Sequence, residues 1–302
     1  MSDTEALRDF CESLNSTYFA GRGSVGNQLT HLVMEGRNFE VLNESRKSER
    51  ESTLASRNPI VAEAGNKYFI YSQCMGVSRL TDPHENKLEQ HVVSLPAAVK
   101  EIENNLHLFK REAYVALDDT PHRDLNEFYR SQREKTFDVL SGVKRKEIGP
   151  ENLVSKDYLR VLKRLLNGKE IQALRTHRNK ILAHNASAEN LGRAARHLSN
   201  NEFFGSDGAK ISLNMVRRAQ LALCLSCAFI EQCILFKGSP AYIATAQYDV
   251  FEGLKDGWWD HQYEDQVIGA YDRYGERRER WTRNPLRPIR FLRNNWFPTT
   301  KS

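Results

Sequence analysis

The sequence predicts an all-α protein, because apolar side chains recur at helical spacing along most of the chain and strand signals are nearly absent. Short alternating runs of β-branched residues bounded by Asn-Gly or Asp-Gly turns would indicate strands, and such runs do not occur in number. Turn residues instead separate long helical segments. The 302 residues, of which 40% are hydrophobic, suffice for one large domain or two small ones. We therefore expect a helical bundle.

Helical periodicity and turn signals together predict eight helices, at residues 3–20, 25–55, 58–80, 95–118, 121–141, 155–187, 209–237 and 240–254. The third begins at Asn58-Pro59, a favourable start signal, and ends at Thr81-Asp82-Pro83. Asn167-Gly168 is expected to break or kink the sixth. The seventh is the most apolar and lies between Ser206-Asp207-Gly208 and Gly238-Ser239-Pro240. We expect it to form the buried centre of the bundle.

The C-terminal part of the chain differs from the rest. We expect a bundle domain over residues 1–240 and, over residues 241–302, a helix followed by a basic, aromatic-rich tail. Nine Lys or Arg and three Asp or Glu give the last 32 residues, from Tyr271, a net charge of +6. Prolines beyond Arg283 argue against a continuous helix there. The interleaved arginines and aromatics could stack on unpaired bases, but aromatics that anchor the tail across the bundle are favoured, because large aromatics are costly to expose.

Composition also bears on location and on metal binding. The acidic start, Met1-Ser2-Asp3-Thr4-Glu5, lacks the pattern of a signal peptide, and the most apolar stretch, Leu221 to Ile230, is too short to cross a bilayer. We therefore expect a soluble cytoplasmic protein with no membrane partner.

Five irregularly spaced cysteines do not form a disulfide framework. Cys224 and Cys227 lie in an apolar helix, which favours buried thiols over metal ligands.

Arg178 is the residue that departs most clearly from the helical pattern. At 100° per residue it lies in the middle of an apolar stripe formed by Ile171, Leu174, Ile181 and Leu182. An unpaired buried charge is too costly to keep, so this cation must be paired, face a cleft or lie at an interface. His184 follows six residues later, and histidine titrates near neutral pH. Basic residues are also frequent between Lys156 and Lys180, which makes a polyanion a plausible partner.

Two segments of the chain match a known pattern. The run Arg178-Asn179-Lys180-Ile181-Leu182-Ala183-His184 resembles the RdK-x-x-AH segment of the HEPN superfamily, in its abortive-infection branch of U type. Upstream, Ser78-Arg79-Leu80-Thr81-Asp82-Pro83 resembles the RLxDP helix end of that branch. The resemblance covers roughly residues 25–235, and the chain departs from it between 96 and 155 and in the tail. The expected fold is therefore all-α, a HEPN-like helical bundle with extra helices and a basic aromatic C-terminal tail.

The resemblance implies a metal-independent endoribonuclease of a bacterial phage-defence or toxin–antitoxin system. Such proteins often dimerise, and the arginine and histidine of two protomers meet at the interface. Carried over to this chain, Arg178 would stabilise the phosphate, Asn179 would orient it or the imidazole, and His184 would act as general acid or base. The expected partners are RNA and a second copy of the chain, and no cofactor or metal is expected. An ideal helix separates Arg178 and His184 by about 120° and about 9 Å along its axis, which fits two antiparallel protomers.

Other interpretations of the same residues stay open. His184 could cap a helix end, Arg178 could pair with a carboxylate such as Asp82, and Asn179 could be solvated. The chain would then be a non-catalytic helical module that binds RNA or a protein and uses Arg178 to hold a dimer together. A third hypothesis is that a partner antitoxin modifies or covers the site. A metal site at His177 and His184 is disfavoured, because no carboxylate falls nearby at ligand spacing.

Overall fold

The computed structural model describes residues 2–48, 59–82, 93–117, 123–143, 145–179, 211–237 and 264–297. Within these ranges the secondary structure is helical, and the only extended pairing is an isolated bridge between Lys110 and Leu153. The prediction of an all-α fold is confirmed. The described helices are α1 (Asp3–Leu14), α2 (Val25–Ser48), α3 (Pro59–Leu80), α4 (Leu95–Asn104), α5 (Arg111–Ala116), α6 (Arg123–Leu140), α7 (Lys156–Leu166), α8 (Lys169–His177), α9 (Leu213–Phe229), α10 (Glu264–Thr282) and α11 (Leu286–Trp296).

Most predicted helix boundaries agree with the structure, and the break at Asn167-Gly168 separates α7 from α8 as expected. The prediction of one helix over 95–118 is wrong, because α4 ends at Asn104 and α5 begins at Arg111. Between them the buried Phe109 accepts a backbone hydrogen bond from Val154, and Arg111 donates one to Asn152. The predicted helix 240–254 and the C-terminal ends of those at 25–55 and 155–187 lie outside the described residues.

Helix α9 lies at the centre of the bundle, as predicted. It contacts α2, α3, α4, α7, α8, α10 and α11. Cys224 and Cys227 are fully buried in this helix and form no disulfide, as the sequence predicts. A π-type turn extends the helix to Ile234, so that Leu213–Ile234 is long and apolar enough to cross a membrane by length and composition alone. Since 61% of its most apolar window is buried inside the protein, it has the pattern of a core helix.

Helices α2 and α3 approach each other closely at Gly76. A Cβ atom at this position would lie 2.5 Å from Cδ1 of the buried Leu32, so only glycine permits this packing unless Leu32 moves. Nearby, the fully buried Gln73 on α3 donates a hydrogen bond to the backbone carbonyl of Leu32 at 3.2 Å. Helix α3 also packs against α8. Helices α2, α3 and α8 thus form one continuous wall.

The C-terminal segment forms two helices that pack on the bundle. Arg37 on α2 places its guanidinium 3.2 Å from the ring centre of Tyr271 on α10 and donates from Nε to the backbone carbonyl of that tyrosine at 3.1 Å. Ile289 on α11 is fully buried, and the buried Arg293 lies 3.4 Å from Asp157 at the start of α7.

Two expectations about this segment need correction. A helix does form beyond Arg283, because Pro285 is the N-cap of α11 and Pro288 lies in its first turn, where no backbone donor is needed. The aromatic side chains anchor the segment only in part. Trp296 packs against the core, but the side chains of Trp281 and Phe291 are 40% and 68% exposed.

Candidate functional site

A cleft of about 580 Å³ lies between α2, α3 and the end of α8. Both sequence motifs contribute to it. Arg79 and Asp82 come from the end of α3, and Arg178 and Asn179 come from the end of α8, 99 positions after Arg79. Arg175, one turn earlier on α8, lines the same cleft. The two segments that carry the family resemblance therefore meet in one place.

Arg178 reaches the cleft because the residues before it fix helix α8. Ile171 and Leu174 are buried, as the apolar stripe predicts, and Arg178 is half-buried one turn beyond Leu174. A π-type turn begins at Arg178 and Asn179, and such turns are frequent at functional sites. The sequence predicts that this cation is paired, faces a cleft or lies at an interface, and in the structure Arg178 lines a cleft.

The Arg178 side chain has a short-range partner. Its Nη1 atom donates to Oδ1 of Asn179 at 2.8 Å. Within the described ranges it forms no ion pair with Asp82, although both residues line the cleft. The contact with Asn179 orients the guanidinium without neutralising it, which leaves its charge for an anion.

His184, the predicted acid–base residue, lies outside the described residues. His177 is buried, with 2% of its surface exposed, and it does not line the cleft. In the part of the chain that the structure describes, no group of three His, Cys, Asp or Glu side chains could hold a metal ion. The structure thus brings together Arg178 and Asn179 from the predicted site.

Helix α2 contributes two titratable residues to the cleft that the sequence analysis did not select, His31 and Glu35. They are four residues apart, so both lie on one face of the helix. Glu35 is held in place, because Ser72 Oγ and Gln73 Nε2 on α3 both donate to its Oε2 atom, the latter at 3.2 Å. The available signal was the spacing of Gln28, His31 and Glu35, which places three polar side chains on one face.

The arginines of the cleft form no ion pair with any carboxylate that the structure describes. The cleft lining contains three arginines and two carboxylates, a net charge of +1 with histidine neutral. Elsewhere in the basic run, three cations are already engaged. Arg160 pairs with Asp157 at 3.1 Å, Lys163 pairs with Glu103, and Arg164 lies 4.7 Å from the ring centre of Trp296. The arginines of the cleft are therefore available to an anionic ligand.

The chain was compared with known proteins and families. The family model for AbiU2, within the HEPN group, matches residues 22–241, a span that includes α2, α3, α8 and α9 and every residue of the cleft. Searches of the curated proteins and of the solved structures gave no match. The match covers well over half of the chain and contains both motifs. The chain therefore belongs to the AbiU2 family and carries an abortive-infection-related HEPN domain.

Proposed function

We propose that this protein is a metal-independent endoribonuclease of a bacterial phage-defence or toxin–antitoxin system, acting on RNA in the cytoplasm. The observation that supports the proposal is the meeting of Arg79, Arg175 and Arg178 in one cleft within the family-matched region. Guanidinium groups bind phosphate through forked, charge-assisted hydrogen bonds, so three of them suit a polyanionic chain. A cleft of this size accommodates part of an RNA strand rather than a duplex.

The proposed reaction is transesterification by the 2′-hydroxyl of the RNA. The 2′ oxygen attacks the adjacent phosphorus, and the bond to the 5′ oxygen breaks. Arg178 stabilises the negative charge that gathers on the phosphoryl oxygens, and Asn179 holds the guanidinium in position. His184 transfers a proton to or from the reacting oxygens, since imidazole can do either near neutral pH. The products are a 2′,3′-cyclic phosphate and a 5′-hydroxyl.

A second copy of the chain completes the site in this proposal. Arg178 and His184 do not share one narrow helix face, so an antiparallel pair would place the arginine of one protomer beside the histidine of the other. Arg178 and Asn179 lie at the edge of the cleft and are not covered by the core, which leaves them accessible to a partner. An antitoxin that covered or modified this face would block the site.

The experiment is a cleavage assay with purified protein and single-stranded RNA. We expect the wild-type chain to cleave with EDTA present and to leave a 2′,3′-cyclic phosphate, because the route uses only protein groups for proton transfer. Arg178→Ala and His184→Ala should each lower the rate by about 10²-fold or more. Arg160→Ala, an exposed arginine on α7 outside the cleft, is the matched control and should cleave normally.

Circular dichroism and analytical ultracentrifugation of each variant separate loss of the site from loss of the fold or of the dimer. Undiminished cleavage by both site variants would overturn the catalytic assignment. Recovery of activity only with a divalent ion would contradict the metal-independent route. A wild-type chain that binds RNA and does not cleave it would show the alternative, a non-catalytic binding module.

A further inference from the structure

We propose that His31 is the second proton-transfer group of the RNA-cleaving cleft, an inference that rests on the proposed function. His31 is exposed on α2 and lines the same cleft as Arg79 and Arg178. It is outside the motif that identifies the family and lies 147 positions before Arg178. The structure places this imidazole in the same protomer as the cleft, whatever the position of His184.

The chemistry requires a second group. One proton must leave the 2′-hydroxyl as the bond between the 2′ oxygen and phosphorus forms, and another must reach the 5′ oxygen as its bond to phosphorus breaks. The arginines cannot serve, because a guanidinium does not deprotonate in proteins. One imidazole accepts the first proton and the other donates the second, so atoms and charge balance without a further reactant.

The helix that carries His31 is held firmly against α3. One turn beyond His31, Glu35 accepts hydrogen bonds from Ser72 and Gln73. Leu32 lies between His31 and Glu35 in sequence. Its backbone carbonyl accepts hydrogen bonds from Gln73 at 3.2 Å and from Gln220 at 3.1 Å. The backbone next to His31 is therefore fixed from the core side, and the exposed ring is left to meet substrate. Positioning of this kind is what a proton-transfer group needs.

Several charged groups line the cleft together with His31. They are Glu35 on α2, Arg79 and Asp82 on α3, and Arg175 and Arg178 on α8. An acid and a base that act together give a bell-shaped dependence of kcat on pH. Removal of one of the two imidazoles should abolish one limb of that bell. A substitution that only impairs folding or RNA affinity would leave both limbs in place.

The test compares the wild type with His31→Gln and His31→Ala, with His107→Ala as control. Glutamine keeps hydrogen-bonding capacity and cannot titrate near neutral pH, and His107 is an exposed histidine outside the cleft. We expect kcat for a short single-stranded RNA to fall by about 10²- to 10⁴-fold in both His31 variants, with one pH limb lost. Affinity for the same sequence in 2′-O-methyl form should stay within about twofold. The control should match the wild type.

The outcomes separate this inference from the proposed function. If the wild type cleaves and Arg178→Ala does not, but His31→Gln keeps the rate and both limbs, the inference fails and the proposed function stands. If the His31 variants lose only affinity for the 2′-O-methyl strand, His31 is a binding residue and the inference is again overturned. If the wild type does not cleave at all, both fail. Thermal melting of each variant establishes that it is folded.

Discussion

Two fully buried glutamines, Gln73 and Gln220, are joined by a hydrogen bond. Gln220 on α9 donates from Nε2 to Gln73 Oε1 at 2.6 Å and to the Leu32 carbonyl at 3.1 Å. Gln73 in turn donates to that same carbonyl and to Glu35. Buried amides are retained in a core only when their hydrogen bonds are made. These two amides therefore join α2, α3 and α9 at the level of the proposed site.

We expect Gln220→Leu to lower the free energy of unfolding by about 1–3 kcal/mol, because Gln73 Oε1 would lose its donor inside the core. Chemical denaturation, monitored by circular dichroism, measures the loss. The double variant Gln73→Leu with Gln220→Leu should recover part of it, since neither amide is then left unpaired. Gln172→Leu, at an exposed position on α8, is the control. A single variant as stable as the wild type would contradict this account of the network.

At the scale of residues, the sequence predicts a site residue where it breaks a pattern. Arg178 interrupts an apolar stripe, so helical geometry predicts that it is paired, faces a cleft or lies at an interface. His31 breaks no pattern, because it lies on an exposed position of a helix with many polar residues. Its place in the cleft depends on the packing of α2 against α3 and on the glycine at position 76. Such non-local contacts cannot be read from local periodicity.

At the scale of elements, helix α11 shows how the C-terminal segment is attached. Its buried face contains Ile289 and Arg293, and the Arg293 guanidinium lies 5.5 Å from the ring centre of Tyr158 on α7. Gly142, which ends α6 with φ of +72°, leaves room for this arginine. A Cβ there would lie 2.8 Å from its Nη2 atom. The end of α6, the start of α7 and helix α11 thus pack together.

We expect Ile289→Ala to destabilise the protein by about 2–4 kcal/mol, because the side chain is fully buried and its removal leaves a cavity. The net charge of the chain does not change, so RNA affinity should not change in the folded protein. Denaturant titration and RNA binding can be measured on the same sample. Leu292→Ala, a partly buried neighbour on α11, should cost less. Unchanged stability of Ile289→Ala would show that α11 does not contribute to the core.

The element boundaries that the sequence missed have physical causes. The segment 95–118 has helical periodicity throughout, but the chain leaves the helix at Asn105 to place Phe109 in the core and to pair with residues 152–154. That pairing joins positions about 45 residues apart, which no local signal encodes. Helix α11 forms in spite of its prolines for a different reason. Proline is compatible with the N-cap and the first turn of a helix, where Pro285 and Pro288 lie, respectively.

At the scale of the whole molecule, the net charge of +5 does not reveal where an anion would bind. Many cations outside the cleft already have partners, such as Arg217 with Glu40 and Arg283 with Glu279. Among the described residues, two surfaces are compared as candidates. One is the cleft with Arg79 and Arg178, and the other is the outer face of α11, where Arg287 and Arg290 are exposed beside Phe291. We propose the cleft as the site that binds RNA.

The most direct test is a comparison of two charge reversals that change the net charge equally. One variant carries Arg79→Glu and Arg178→Glu in the cleft, and the other carries Arg287→Glu and Arg290→Glu on α11. Fluorescence anisotropy with a short 2′-O-methyl strand, at a series of salt concentrations, gives the affinity and its salt dependence for each.

We expect the cleft variant to bind RNA at least about tenfold more weakly. The slope of its log affinity against log salt concentration should become shallower by about 1–2, because two phosphate contacts are lost. The α11 variant should bind RNA with an affinity within about twofold of the wild type and with the same salt dependence. Thermal melting should show that both are folded. The opposite result, with binding lost in the α11 variant and retained in the cleft variant, would contradict the assignment of RNA to the cleft.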